Sequence, residues 1–186
     1  MIFDFALDNS WMSSFYSEKP FTYKDVEFRS VVQAYEYNKC LHEEDAKHIL
    51  TLMSYDSHKY GQTVLRKPAW DLSKYTVLLE ILYERFKDEG LRAKLLDTGH
   101  DVLLAGYSND KFGEWCYHLY EHHDSCMDAN YYGKMLMYLR FMLQTQSKPH
   151  TVSKKLIDTV VPNTVAKKDL AIAQEVCDVF NKRIVQ

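Results

Sequence analysis

The chain has 186 residues, 46% of them hydrophobic and 14% aromatic, which argues against disorder and suits one domain able to bury a substantial core. A net charge of −3 and a pI near 6.2 exclude a general nucleic-acid coat and leave only a local basic groove open. No apolar run approaches the roughly 18 residues of a membrane span. No signal-peptide pattern opens the chain, and Cys40, Cys116, Cys126 and Cys177 stand at irregular positions, so a cytoplasmic protein with reduced thiols is expected.

In chain order, short strands are predicted near Ile2–Phe5 and Phe21–Phe28, the latter folded back at Lys24-Asp25. Ser30 caps a helix through about His42, and a second helix runs from Glu43 or Glu44 to Met53. Residues 54–70 read as a polar loop leading to Asp71, an N-cap for a helix over Leu72–Glu89 that stops at Gly90. "LRAKLLDTG" is a short helix ended by a Gly, "DVLLAGYS" a strand, and Asn109 to Asp128 a long loop. A helix over Asn130–Gln144 follows. Residues 147–163 read as a connection, and Thr164–Ile184 as a final amphipathic helix that packs on its own domain or on a second copy. The expected organisation is one domain over residues 1–145, with residues 146–186 as a connection and added helix. The oligomeric state is not set by the sequence.

Two stretches concentrate functional residue types. Cys116, His118, His122, His123 and Cys126 lie within eleven residues, but their spacing matches no usual zinc finger, and a loop rich in surface His is the commoner explanation. No metal or cofactor is therefore expected. On the helix after Ser30, Lys39 shares a face with Val32, Tyr35, Glu36 and Glu43. That is either a solvated lysine gaining a few tenths of a kcal/mol from neighbouring carboxylates, or an amine in a cleft. In a cleft it would attack a sugar anomeric carbon or orient a phosphate while Glu36 handles protons. Cys40 and Cys177 read as small core residues. No GxSxG, P-loop or GxGxxG pattern occurs.

The helix "NYYGKMLMYLR" raises a sharper question. Asn130, Gly133, Met137 and Arg140 fall within one stripe of about 80°. An amide, a bare backbone position and a guanidinium therefore share a buried-looking face, where Gly costs roughly 1 kcal/mol relative to Ala. A helix entering a pocket would use such a face, with Gly133 allowing close approach and the helix N-terminus offering N–H groups to a phosphate.

The order of motifs resembles the NADAR (YbiA-like) family. "WMSSFYSEKPFTYKDVEFRSVVQAYEYNKC" is similar to its opening, "LRKPAWD" with "LYERFKDEGLRAKLLDTGHDVLLAG" to its middle, "SNDKFG" to its D..WG element and "NYYGKMLMYLR" to its N.LG.LLM..R. The resemblance covers about residues 11–143. It implies a compact, helix-rich α+β fold with a small sheet and one polar pocket for a ribosyl-phosphate compound. Family members are N-glycosidases: some act on phosphorylated pyrimidine intermediates of riboflavin synthesis, others remove ADP-ribose from guanine in nucleic acid. By matching motif position the site residues are Lys39, Trp70, Asp110, Gly113, Asn130 and Arg140, with Glu36 as acid or base. Ser14, Tyr16, Phe112 and Gly133 are further binding positions. The chain departs from the family where Val32 and Ala105 replace carboxylates, Ser14 an asparagine and Phe112 a tryptophan. Glu36, one turn after Val32 on the same face, is placed to restore a carboxylate beside Lys39, and Asp110 and Glu114 are the other substitutes. The expected partner is an ADP-ribosyl or other ribosyl-phosphate substrate, with guanine in DNA favoured because Arg66 and Lys67 of "LRKPAW" can approach a backbone.

Overall fold

The computed structural model describes residues 2–3, 5, 7–107, 115, 117–118 and 130–161. The segment predicted as a final helix, Thr164–Ile184, and most of the Asn109–Asp128 loop lie outside them. Within them the chain forms β1 (Ile2–Phe3), a 3-10 turn (Leu7–Met12), β2 (Phe21–Tyr23), β3 (Val26–Phe28), α1 (Val31–Lys39), α2 (Glu43–Thr51), α3 (Ser54–Gly61) and α4 (Trp70–Arg85). There follow α5 (Glu89–Asp97), β4 (Leu103–Leu104), β5 (Gly106–Tyr107), β6 (Tyr117–His118), α6 (Tyr131–Gln144) and α7 (Lys154–Val160). No described helix is long and apolar enough to cross a membrane.

The strands make three small pairs: β1 with β4 in parallel, β2 with β3 antiparallel, and β5 with β6 in parallel. Lys24 and Asp25 both take positive φ, 49° and 61°, the mirror-type turn that a two-residue hairpin requires. Tyr23 Oη then donates to Glu80 of α4 at 2.5 Å, and burial, followed by that bond, holds the phenol above its usual range. Ser30 caps α1 by accepting from Gln33 N. The core is formed by Met12, Phe28 and Val31 from the first part of the chain, with Leu78, Leu79, Ile81, Leu82 and Phe86 of α4. Leu91 and Leu95 of α5 and Met135, Leu136, Leu139 and Met142 of α6 complete it. Arg85, only 1% exposed, donates to the carbonyls of Trp11 and Ser13 and so ties the N-terminal turn to α4; desolvation lowers its pKa.

Three elements differ from expectation. Residues 54–61, read as loop, form α3, because the positions it buries are Ser54, Ser57 and Gly61. Small polar residues on a helical face give no apolar periodicity, yet they let α3 lie close against α1. The single helix predicted over Leu72–Glu89 breaks at Phe86. Asp88 there caps α5 by accepting from Leu91 N at 2.9 Å, so Gly90 falls in the first turn of α5 instead of ending α4. The cap of α4 is Ala69, in the left-handed region with φ 56°, and not Asp71. Finally, the presumed connection carries α7, capped by Ser153. It is fastened to α6 by Lys134, whose Nζ donates to Asp158 at 2.6 Å, and by Tyr131 Oη, which donates to the same carboxylate at 2.7 Å.

Candidate functional site

The face of α1 that carries Val32, Glu36 and Lys39 points inward. Ser14 O accepts from Val32 N at 2.9 Å, which lays the N-terminal segment along the helix. Glu36 is 2% exposed. One of its oxygens, Oε2, is ion-paired with Lys39 Nζ, and the other, Oε1, lies 3.1 Å from His58 Nδ1 on α3. Gly61 makes room for this carboxylate: a Cβ there would overlap its Oε2 and Cδ. The cation and the carboxylate are therefore shielded together, where their attraction is far stronger than between solvated side chains. Lys39 is not a solvated lysine.

The last turn of α1 is held from outside by the strand-like run after α3. Cys40 bridges Arg66, Leu41 N donates to Leu65 O, and Lys67 N donates to Lys39 O. This places Trp70, whose N donates to Lys67 O, beside Tyr35, with ring centroids 5.1 Å apart and nearly perpendicular. Tyr35 meets Trp115 at 5.5 Å, Trp115 meets Tyr75 at 5.4 Å, and Tyr75 meets Tyr131 at 5.4 Å. An arc of five aromatic rings thus runs from the end of α1 to the start of α6. Lys74 Nζ lies 5.4 Å from the Tyr75 ring centre and 5.9 Å from that of Trp115, so the arc has a cation over it. Arg66 and Lys67 stand exposed at its rim.

The stripe on α6 faces inward as well, and its neighbour is strand β4. Asn130, with φ 68°, accepts from Ala105 N at 2.9 Å and donates to Leu103 O at 3.0 Å. Met137 Sδ accepts from Leu103 N at 3.5 Å. Arg140 donates to Thr98 Oγ1 at 2.6 Å and to Asp101 O at 2.9 Å; desolvation lowers its pKa, with Asp101 acting against that. A Cβ on Gly133 would strike Leu103 O. Amide, bare position and guanidinium share one face because together they satisfy the edge of β4 and the turn before it. Arg140 lies nine residues beyond Tyr131, roughly 13 Å along the helix axis, at the opposite end of α6 from the aromatic arc.

Of the other expected site residues, Tyr16 donates to Glu18 and lies under the Arg85 guanidinium. Asp110, Phe112, Gly113 and Glu114 lie outside the described residues, as do Cys116, His122, His123 and Cys126; of His118 only the backbone is described. Among the described residues no group of His, Cys, Asp and Glu is arranged to hold a metal. The site also contains members that sequence reasoning passed over. His58 was hidden in a presumed loop, and Trp115 stands three residues after the position where the family tryptophan was sought.

Cys40 bounds the site from behind, its thiol donating to Glu36 O at 3.2 Å. Burial, then the charge of Asp45, pushes that thiol up to about 11. Buried and held as the thiol, Cys40 should be left unmodified by a thiol reagent at pH 8 in the folded chain and react after denaturation. Rapid labelling of the native chain at Cys40, read by peptide mass, would contradict this burial.

The chain is thus a helix-rich α+β body with a shielded lysine–carboxylate pair beside an aromatic arc. The family model described as NADAR domain matches residues 4–144, and the chain belongs to that family. The solved NMR structure of the E. coli protein YbiA is similar to it, with a TM-score of 0.66 and 21% identity. The match covers 78% of this chain and 84% of that one. The fold is the compact YbiA-like one. No curated protein matches the chain.

Proposed function

We propose that the protein is an N-glycosidase that cleaves the C1–N bond of a ribosyl-phosphate compound, and that its substrate is ADP-ribosylated guanine in DNA. The observation that carries the reading is the buried Lys39–Glu36 pair at the foot of the aromatic arc, supported by membership of a family associated with N-glycosidase activity. In this reading Lys39 gives up its proton and its amine attacks C1. The C1–N bond breaks with its electron pair leaving on the base, which takes up a proton; the C1–O4′ bond then opens, O4′ taking a proton from the attacking nitrogen, to give the Lys39 imine, and water hydrolyses that imine to return the amine and a free sugar. Glu36 holds Lys39 in place. Tyr35, Trp70, Trp115 and Tyr75 offer surfaces for a base or an adenine. Lys74, Arg66 and Lys67 supply charge for phosphates. Asn130, Gly133 and Arg140 serve by holding α6 in register, so that Tyr131 closes the arc. Asp110, Phe112 and Gly113 belong to the same reading by their motif positions.

One observation favours a second reading. Val32 and Ala105 are buried and uncharged, which suits a chain that binds ADP-ribose or a related nucleotide without turning it over. Incubation with ADP-ribosylated DNA and, separately, with a ribosylamino-pyrimidine phosphate tests both. Release of free ADP-ribose from the DNA is the expected result. Cleavage of the pyrimidine compound alone would move the protein to the riboflavin-type branch, and tight binding without release would establish the binder.

A further inference from the structure

Glu36 is badly placed to meet a substrate itself. Its carboxylate is 2% exposed, with Lys39 on one oxygen, the Gly61 backbone pressed against it and His58 on the other oxygen. His58 is more open, with a side chain 16% exposed. An ionised carboxylate only accepts hydrogen bonds, so at 3.1 Å the hydrogen must sit on His58 Nδ1. The neutral ring then takes up and gives back protons at Nε2. Phe15 packs edge-on against the ring at 5.8 Å and 76°, and the small buried face of α3 brings the helix close enough for the imidazole to reach α1. A carboxylate that fixes the tautomer of an imidazole and steadies its charged form is the relation by which acid–base histidines are held in many enzymes.

We propose that His58 is the residue that exchanges protons with the substrate at this site, and that Glu36 acts through it. The proposal rests on the glycosidase reading given above. His58 in its charged form delivers a proton to the departing base as the C1–N bond breaks. It then recovers one from the water that adds to the Lys39 imine, so each turnover returns the ring to its starting state. Among the described residues, the other titratable groups of this neighbourhood include Lys39 on α1, Cys40 behind it, Asp56 and Lys59 on α3 itself, Asp45 of α2, which accepts from Tyr60 Oη of α3, and His48, whose ring packs on Tyr60. Lys67 adjoins the end of α1.

Two measurements on the full chain test this. Nitrogen-15 NMR of the histidine-labelled protein, with His58 assigned by comparison with His58→Gln, should show the neutral ring as the Nδ1–H tautomer; an Nε2–H tautomer would overturn the pairing. On an ADP-ribosylated guanine oligonucleotide, His58→Gln should lower kcat by about 10²- to 10⁴-fold at unchanged KM. It should also remove one limb of the pH–rate profile that the wild type shows. A His58→Gln enzyme within twofold of wild type and with that limb intact would sink the proposal. Should the wild-type chain release nothing from the oligonucleotide, the glycosidase reading fails, and the tautomer decides for or against the pair by itself.

Discussion

Lys39→Met is expected to abolish release of ADP-ribose, with a loss on the order of 10²- to 10⁴-fold or more for a group that takes part in the chemical step. Methionine fills nearly the same volume without an amine, so binding by the aromatic arc should persist while turnover stops. The same substitution also costs stability. It leaves Glu36 buried with His58 as its remaining partner, and stripping one member from a buried pair typically costs about 3–5 kcal/mol. With His58 still in place, about 2–3 kcal/mol is the expected loss. The two effects separate in the double variant Lys39→Met/Glu36→Gln, which removes the stranded charge: denaturant midpoints should recover and activity should not. A single Lys39→Met variant that turns over at the wild-type rate would eliminate the amine from the mechanism.

Gly133→Ala is the second large effect and acts on the fold. Elsewhere in a helix the exchange would add roughly 1 kcal/mol of stability through propensity. At position 133 the new methyl meets Leu103 O and the Asn130 side chain, and a strand carbonyl cannot swing aside as a long side chain can. Helix α6 must back away from β4. The two Asn130 bonds then weaken, each contributing about 1 kcal/mol, and the overpacking itself costs about 1–3 kcal/mol. After the propensity gain, a net loss of about 3 kcal/mol is expected, lowering Tm by roughly 6–12 °C for a chain of this size. A melting temperature at or above that of the wild type would mean that α6 and β4 are not in the contact described.

What the sequence made legible follows from which physical signals it carries. The hairpin at Lys24-Asp25, the Ser30 cap and the inward face of α6 all came from periodicity and cap chemistry, and the structure has them; the face of α1 read equally as solvated, and the structure buries it. The face of α6 was readable, but its neighbour was not. Nothing in the residues says whether Asn130 and Arg140 meet a ligand or the unpaired edge of a two-residue strand. Helix α3 escaped because its buried positions are Ser54, Ser57 and Gly61, which hydropathy scores as loop. With α3 missed, His58 could not be placed one helix away from Glu36. The Phe86–Asp88 break was masked by apolar spacing that runs straight through it, although Asp88 carried the cap signal. Within the site, i,i+3 spacing on one helix put Glu36 and Lys39 on a shared face, a local property, but left a solvated pair open, and the family resemblance pointed to the cleft. The five-ring arc was not found, because it joins α1, α4, α6 and Trp115 through distant contacts.

The anchorage of α7 bears on where this protein can be cut. The NADAR match ends at residue 144, and a designer trimming the chain to the family boundary would discard Asp158. Lys134, with its side chain 2% exposed, would then lose the Asp158 carboxylate that it donates to, and Tyr131 would lose its bond to the same carboxylate at the end of the aromatic arc. A minimal version of this protein therefore has to reach past Asp158, making the short helix beyond the family boundary an integral brace for the arc.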